Sequence, residues 1–201
     1  MNLSLRMILV LTSVGLLSGI LLTGVNLATR ERIKENKQQE IKDAITEVVP
    51  GTQSSPVIHD EENLTVYKGT NKKGETTGYA IYSSGTGFQD KITIMLGIDS
   101  SLSKINDLVI LEQTETPGLG AKITDEKLFL RFWKNKDIRQ PLTLHEPAVN
   151  SPNKLGPSEV NTITGATISS EAVLNIANKS INQVRSLLDK EKYKSKENNG
   201  N

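Results

Sequence analysis

Two short stretches hold residues whose types and spacing point to chemistry. The first is Thr164-Gly165-Ala166-Thr167-Ile168-Ser169-Ser170, directly before a segment of helical periodicity. Small residues let a bulky group approach the backbone, and the free amides of a helix N-terminus favour a phosphate there. A threonine hydroxyl in that place can serve as an anchor. The same residues also suit a plain helix cap, with Thr167, Ser169 or Ser170 satisfying the first-turn amides. The second stretch is Glu115-Thr116-Pro117-Gly118-Leu119-Gly120. Its proline and two glycines fix a tight backbone path, so that amides and one apolar side chain can face a ligand. A simple turn explains that composition nearly as well.

Other chemistries find little support. With no cysteine, the chain offers no disulfide, thiolate metal site or iron–sulfur ligation, so any redox chemistry must come from a cofactor. His59, beside Asp60, Glu61 and Glu62, and the distant His145 lack the spacing of a metal site. The run Ser83-Ser-Gly-Thr-Gly87 lacks the helix that must follow a dinucleotide loop. A threonine-nucleophile hydrolase would need a general base near Thr167, and no Ser/Thr-His-Asp signature occurs. A net charge of +1, with no basic cluster interleaved with aromatic residues, argues against nucleic acid as a partner.

These motifs need a scaffold, and 201 residues that are 36% hydrophobic and 23% charged suit one globular domain with a peripheral segment. The uncharged run from Met7 to Thr29 is long enough to span a bilayer, which needs roughly 20 apolar residues. It exceeds the about 7–15 residues of a signal-peptide core and lacks a clear small-residue cleavage site. Gly15 and Gly19 give it a G-x-x-x-G spacing. Arg30, Arg32, Lys34 and Lys37 follow the span, where the positive-inside rule favours a cytoplasmic C-terminal domain, although long domains translocate largely regardless of charge.

The expected order is an anchor over residues 1–29, a helical stalk over 30–50, a domain over 51–189 and a disordered tail over 190–201. Ile41, Ile45, Val48 and Val49 give the stalk a helical stripe, which Pro50-Gly51 stops. Strands are expected at Gly78–Tyr82, at Ile92 to Ile98 and at Leu108–Leu111, antiparallel and joined by short turns. A helix capped by Thr124 should set Leu128, Phe129, Phe132 and Trp133 on one core-facing side, and a second should run from Ser170 to Leu188. The fold class is therefore α+β: an N-terminal transmembrane helix, then a mainly antiparallel sheet packed with helices.

Taken together, the chain resembles the FMN-binding domain family found in the G subunit of the Rnf complex and in the C subunit of the sodium-translocating NADH:quinone reductase. The resemblance rests on the anchor, on G-Y-A-I-Y-S-S-G-T-G-F at Gly78 to Phe88, and on I-T-I-M-L-G-I-D at Ile92 to Asp99. It rests most on E-T-P-G-L-G and T-G-A-T-I-S-S. The chain's modest length and the form of its loop look more like the Rnf protein. The resemblance implies FMN joined by a flavin transferase, through a phosphoester, to the final threonine of [S/T]-G-A-T, here Thr167. It implies that Glu115, Thr116, Gly118, Leu119 and Gly120 lie against the ring, with Thr164, Gly165, Ala166, Ser169 and Ser170 around the attachment point. Where the family motif usually has an aspartate three residues before its [S/T], this chain has Asn161.

The implied role is an electron relay in a complex coupling ferredoxin:NAD+ electron transfer to ion translocation. Its partners would be the other membrane and redox subunits. The place would be the bacterial cytoplasmic membrane, with a single span and the C-terminal domain outside the cytoplasm. Two alternatives are the equivalent quinone-reductase subunit and an anchored FMN-binding sensory or assembly module.

Overall fold

The computed structural model describes residues 2–198, and side chains within them as far as residue 190. The chain divides into two compact units, Met1–Asp43 and Ala44–Asn201. The first is helical from Leu3 onward. It forms most of α1 (Leu3–Val48), whose apolar part is long and uncharged enough to cross a membrane. The leucines, isoleucines and valines of that apolar part are exposed, as a lipid-facing helix requires.

The second unit is built on a five-stranded antiparallel sheet in which neighbours in sequence are neighbours in space. The strands are β1 (Val57–Glu61), β2 (Leu64–Thr70), β3 (Thr76–Thr86), β4 (Lys91–Asp99) and β5 (Ile105–Glu112). The polar stretch after Pro50 supplies two of them. Their glycines, charges and short length hide the strand period. A parallel pair, β6 (Thr143–His145) and β7 (Glu159–Asn161), leads the chain to α2 (Thr167–Asn198).

Ile92, Ile94, Leu96 and Ile98 alternate along β4, yet every residue from Ile92 to Ile98 is buried, because both faces of the sheet are covered. One face carries the main core, where these four residues meet Phe129, Trp133 and the apolar stripe of α2. Across the opposite face runs a strip of small residues, Gly69, Gly78, Ala80 and Gly97, which the strand register sets side by side. Val48 and Val49 lie directly on that strip. A Cβ at Gly78 would stand 3.1 Å from Val49 Cγ1, and one at Gly97 would overlap the Val48 carbonyl.

Two expectations need correction. The helix starting at Thr124 does not form, and the segment instead holds two 3-10 turns, Gly120–Thr124 and Leu130–Phe132. The cause is Asp125. Its backbone is extended, and its carboxylate accepts from the Lys127 and Leu128 amides, whereas the Thr124 hydroxyl donates back to Ala121 O. Phe129, Phe132 and Trp133 still reach the core, with the Phe129 and Trp133 rings edge-to-face at 5.6 Å, but Leu128 is exposed. The second correction concerns the tail: α2 stays helical to Asn198 through residues expected to be disordered, and Lys and Glu are good helix formers. Residues 199–201 of that expected tail lie outside the described residues.

The covered second face predicts that Gly97→Ala will destabilise the extramembrane unit. Overpacking typically costs about 1–3 kcal/mol, and here the new methyl meets backbone, which cannot swing aside. Urea unfolding should show the loss, whereas Gly74→Ala, in an open turn, should show only the smaller effect of its positive φ. Equal midpoints for the two variants would mean that Val48 does not sit on the sheet.

Candidate flavin site

Antiparallel pairing brings three chain segments to one end of the sheet. The β3–β4 turn at Gly87–Asp90 lies there, and so does the exit of β5, since Glu112 pairs with Thr93 near the start of β4. The head of α2 closes the group. What joins them is one carboxylate. Glu115, 4% exposed, accepts on Oε1 from the amides of Phe88 at 2.7 Å and Gln89 at 3.2 Å, and on Oε2 from Ser169 Oγ at 2.7 Å. Gln89 Nε2 donates to Thr116 Oγ1 at 2.7 Å, a second tie between the turn and the loop.

Glycines make the approach feasible. A Cβ at Gly120 would stand 2.5 Å from Ser169 Oγ and 2.6 Å from Glu115 Oε2, and one at Gly87 would collide with Glu115 Oε1. Gly118 and Gly165 serve differently. They sit at φ +79° and +81°, a region that other residues rarely adopt, and they form the bends of the two motif loops. The loops touch at these bends, since a Cβ on Gly165 would lie 3.6 Å from Leu119 Cδ2.

The hydroxyls of the second motif divide by role. Ser170, fully buried, donates to Ala166 O at 3.0 Å and accepts from the Ile163 amide at 3.2 Å, so it fastens the Thr164–Ala166 turn to the helix. Ser169 is held by Glu115. Thr167 opens α2 half-buried, and among the described residues its hydroxyl has no hydrogen-bond partner. The amides of Thr167, Ile168 and Ser169 likewise find no acceptor among the described residues, the ordinary state of a helix N-terminus and a favourable place for a phosphate. Neither Thr167 nor the two serines caps these amides.

The structure sets the two loops side by side, and sequence reasoning missed what surrounds them. Four of the exposed large apolar side chains of the domain, Phe88, Leu119, Leu128 and Ile168, come from the site segments or their immediate neighbours. Phe88 follows directly on Ser83–Gly87, a run whose glycines draw attention to phosphate binding and away from the aromatic side chain beside them. The site residues therefore separate: Glu115, Gly120, Ala166, Ser169 and Ser170 are buried frame, while Thr164, Gly165, Gly118 and Leu119 are exposed. Asn161 is frame as well. Its Oδ1 accepts from the Val149 amide at 2.8 Å, and its Nδ2 donates to Val149 O at 2.9 Å and to Leu128 O at 3.5 Å, a donation that an aspartate could not make.

Residues 87–182 match the FMN-binding domain model, a span that begins at the Glu115-binding turn and ends inside α2. Over that span the chain is similar to FMN-binding domains. It is 29% identical over 186 residues to the G subunit of the ion-translocating oxidoreductase complex of Methanosarcina acetivorans, covering 89% of this chain and 93% of that one. With the G subunit of the Na(+)-translocating ferredoxin:NAD(+) oxidoreductase complex of Acetobacterium woodii it shares 32% identity over 63% of this chain and 58% of that one. The fold matches Shewanella oneidensis NqrC with a TM-score of 0.53 at 22% identity, covering 68% of this chain and 70% of that one. The C subunit of the Na(+)-translocating NADH-quinone reductase of Parabacteroides distasonis gives 0.52 at 21% identity, over 71% and 79%. The site residues fit a flavin mononucleotide: orphan amides and a free hydroxyl for its phosphate, exposed apolar side chains for its ring.

If Glu115 clamps the three segments together, Glu115→Ala and Glu115→Gln will differ. Alanine leaves three donors without an acceptor, at about 1–3 kcal/mol each where they stay buried. Glutamine keeps one acceptor oxygen for the Phe88 and Gln89 amides, and its amide can donate to Ser169. Denaturant unfolding should place Gln close to wild type and Ala well below it, and equal losses would show that the carboxylate does not join the segments.

Proposed function

We propose that this chain is a membrane-anchored, flavin-bearing electron-relay subunit of an ion-translocating oxidoreductase complex, with FMN carried as a phosphoester of Thr167. The observation that carries the reading is the unpartnered Thr167 hydroxyl among unpartnered amides at the head of α2, against the Glu115–Gly120 loop. Bound FMN supplies one- or two-electron transfer, and the protein holds and tunes it. Helix amides stabilise the negative phosphate, Gly165 keeps the turn clear for it, and Leu119 with Phe88 offers apolar cover to a ring. An ester to the chain prevents loss of the cofactor without altering its ring.

The G-subunit relatives support a complex that passes electrons between ferredoxin and NAD+ while moving an ion across the membrane, with other membrane and redox subunits as partners. The likeness to NqrC is one of fold, so the quinone-reductase protein stays the second reading. A flavin transferase would install the cofactor. The single apolar segment of α1 supports a bilayer anchor in the cytoplasmic membrane, and we place the C-terminal domain outside the cytoplasm.

Thr167→Val tests the attachment. The lost hydroxyl makes no hydrogen bond, so folding should change by no more than about 0.5 kcal/mol. Co-expressed with a flavin transferase, the wild-type chain should gain the mass of FMN less water and fluoresce on a denaturing gel. The valine variant should fold and run dark, whereas Ser170→Ala, which loses a buried frame hydroxyl, should stay labelled. Fluorescence retained by the valine variant would remove Thr167 from its assigned role.

The orientation can be read from intact spheroplasts. Added protease should digest the domain without opening the membrane, despite the basic residues Arg30, Arg32, Lys34 and Lys37 that follow the span. Digestion only after lysis would put the domain in the cytoplasm, on the side that the charges favour.

A further inference from the structure

On the flank of the Thr164 turn lies a cavity of about 180 Å³ whose wall includes Lys122, Lys127, Arg131, Thr162 and Thr164. Three cationic side chains meet there and no carboxylate lines it, in a chain whose net charge is only +1. Among the described residues none of the three forms an ion pair. Such a concave, single-sign site concentrates anions.

Two further observations point to a ligand. Thr162, 4% exposed, has a hydroxyl with no hydrogen-bond partner, and the buried Nε of Arg131 also has none. Buried polar atoms rarely stay unpaired in proteins, and these two belong to side chains of the same cavity. Arg131 is held in place on its other sides: Nη2 donates to Asn150 O at 2.5 Å, and the guanidinium stands 4.8 Å from the centre of the Phe132 ring. A fixed arginine with an unpaired N–H, an unpaired hydroxyl and two lysines together match a tetrahedral anion, which accepts several charge-assisted hydrogen bonds at once.

We propose that this cavity is a phosphate subsite, separate from Thr167. Its volume falls below the about 300–1,000 Å³ of pockets that enclose whole drug-sized ligands, so it takes a phosphate group and leaves the rest of its bearer outside. The bearer is a phosphate monoester, either FMN itself docked before attachment or another small phosphorylated molecule. The site stands on its own residues and does not depend on the flavin ester.

The test uses the full chain in detergent, made without a flavin transferase and so free of covalent flavin. Inorganic phosphate should raise its melting temperature above that in chloride of equal ionic strength, as a ligand of the native state must. Lys122→Gln with Lys127→Gln should weaken the apparent affinity at least tenfold. Thr162→Val, which keeps the side chain's shape, should weaken it several-fold without lowering the melting temperature of the unliganded chain. AMP and FMN titrated separately identify the source: a response to both assigns phosphate monoesters in general, and a response to FMN alone assigns the flavin's own phosphate. No difference between phosphate and chloride, or an unchanged response in the lysine variant, would overturn the proposal. Flavin attachment in the same variants is scored apart, by fluorescence on a denaturing gel after co-expression with the transferase, so a failed phosphate site and a failed Thr167 assignment give different results.

Discussion

A buried carboxylate must be surrounded by donors or it destabilises the fold, and Glu115 meets that condition by drawing on two segments distant from its own. Its partner Ser169 is 54 residues away in sequence. Once the carboxylate sits between the β3–β4 turn and the head of α2, much else is constrained. Gly87 and Gly120 can carry no side chain, because a Cβ on either would strike the clamp. Ser169 must point inward, and on a helix this leaves its neighbours Thr167 and Ile168 directed elsewhere. The free position of Thr167 follows from the engagement of Ser169.

The sheet makes this convergence possible. In a meander of antiparallel strands, the β3–β4 turn and the end of β5 fall at the same edge, and the short parallel pairing of β6 with β7 delivers the chain there a third time. Both faces of the sheet are closed, one by α2 and the aromatic cluster, the other by Val48 and Val49 on a strip of small residues. The strands are thereby fixed from two sides, and the loops at their ends inherit that rigidity.

Around the site, polar and apolar groups have changed their usual places. The carboxylate, two serines and Asn161 are buried and satisfied, while Phe88, Leu119 and Ile168 face outward. Buried polar networks specify geometry because each member has few acceptable positions. Exposed apolar side chains grouped around a helix N-terminus are what a cofactor with an anionic tail and an aromatic head requires. The division agrees with an FMN-binding domain in which the frame is polar and the contact surface apolar.

The two motifs, the apolar span, strands β3, β4 and β5 and the long final helix were legible in the sequence, because each is local: a composition, a period, or a glycine beside a proline. β1 and β2 were not legible, since their residues form strands only when paired with β3. The segment after Thr124 carried a helical stripe but was overridden by Asp125 and by the demand of the core for Phe129 and Trp133. Residue type alone could not divide the hydroxyls of Thr167, Ser169 and Ser170, which are equivalent as helix caps, and only the family resemblance singled out Thr167. The division depends on which of them meets Glu115 and which meets the Ile163 amide. The sequence by itself determined which hydroxyls stand at the head of the final helix; the tertiary structure decided which of them is free, because a hydroxyl's availability depends on partners far away along the chain.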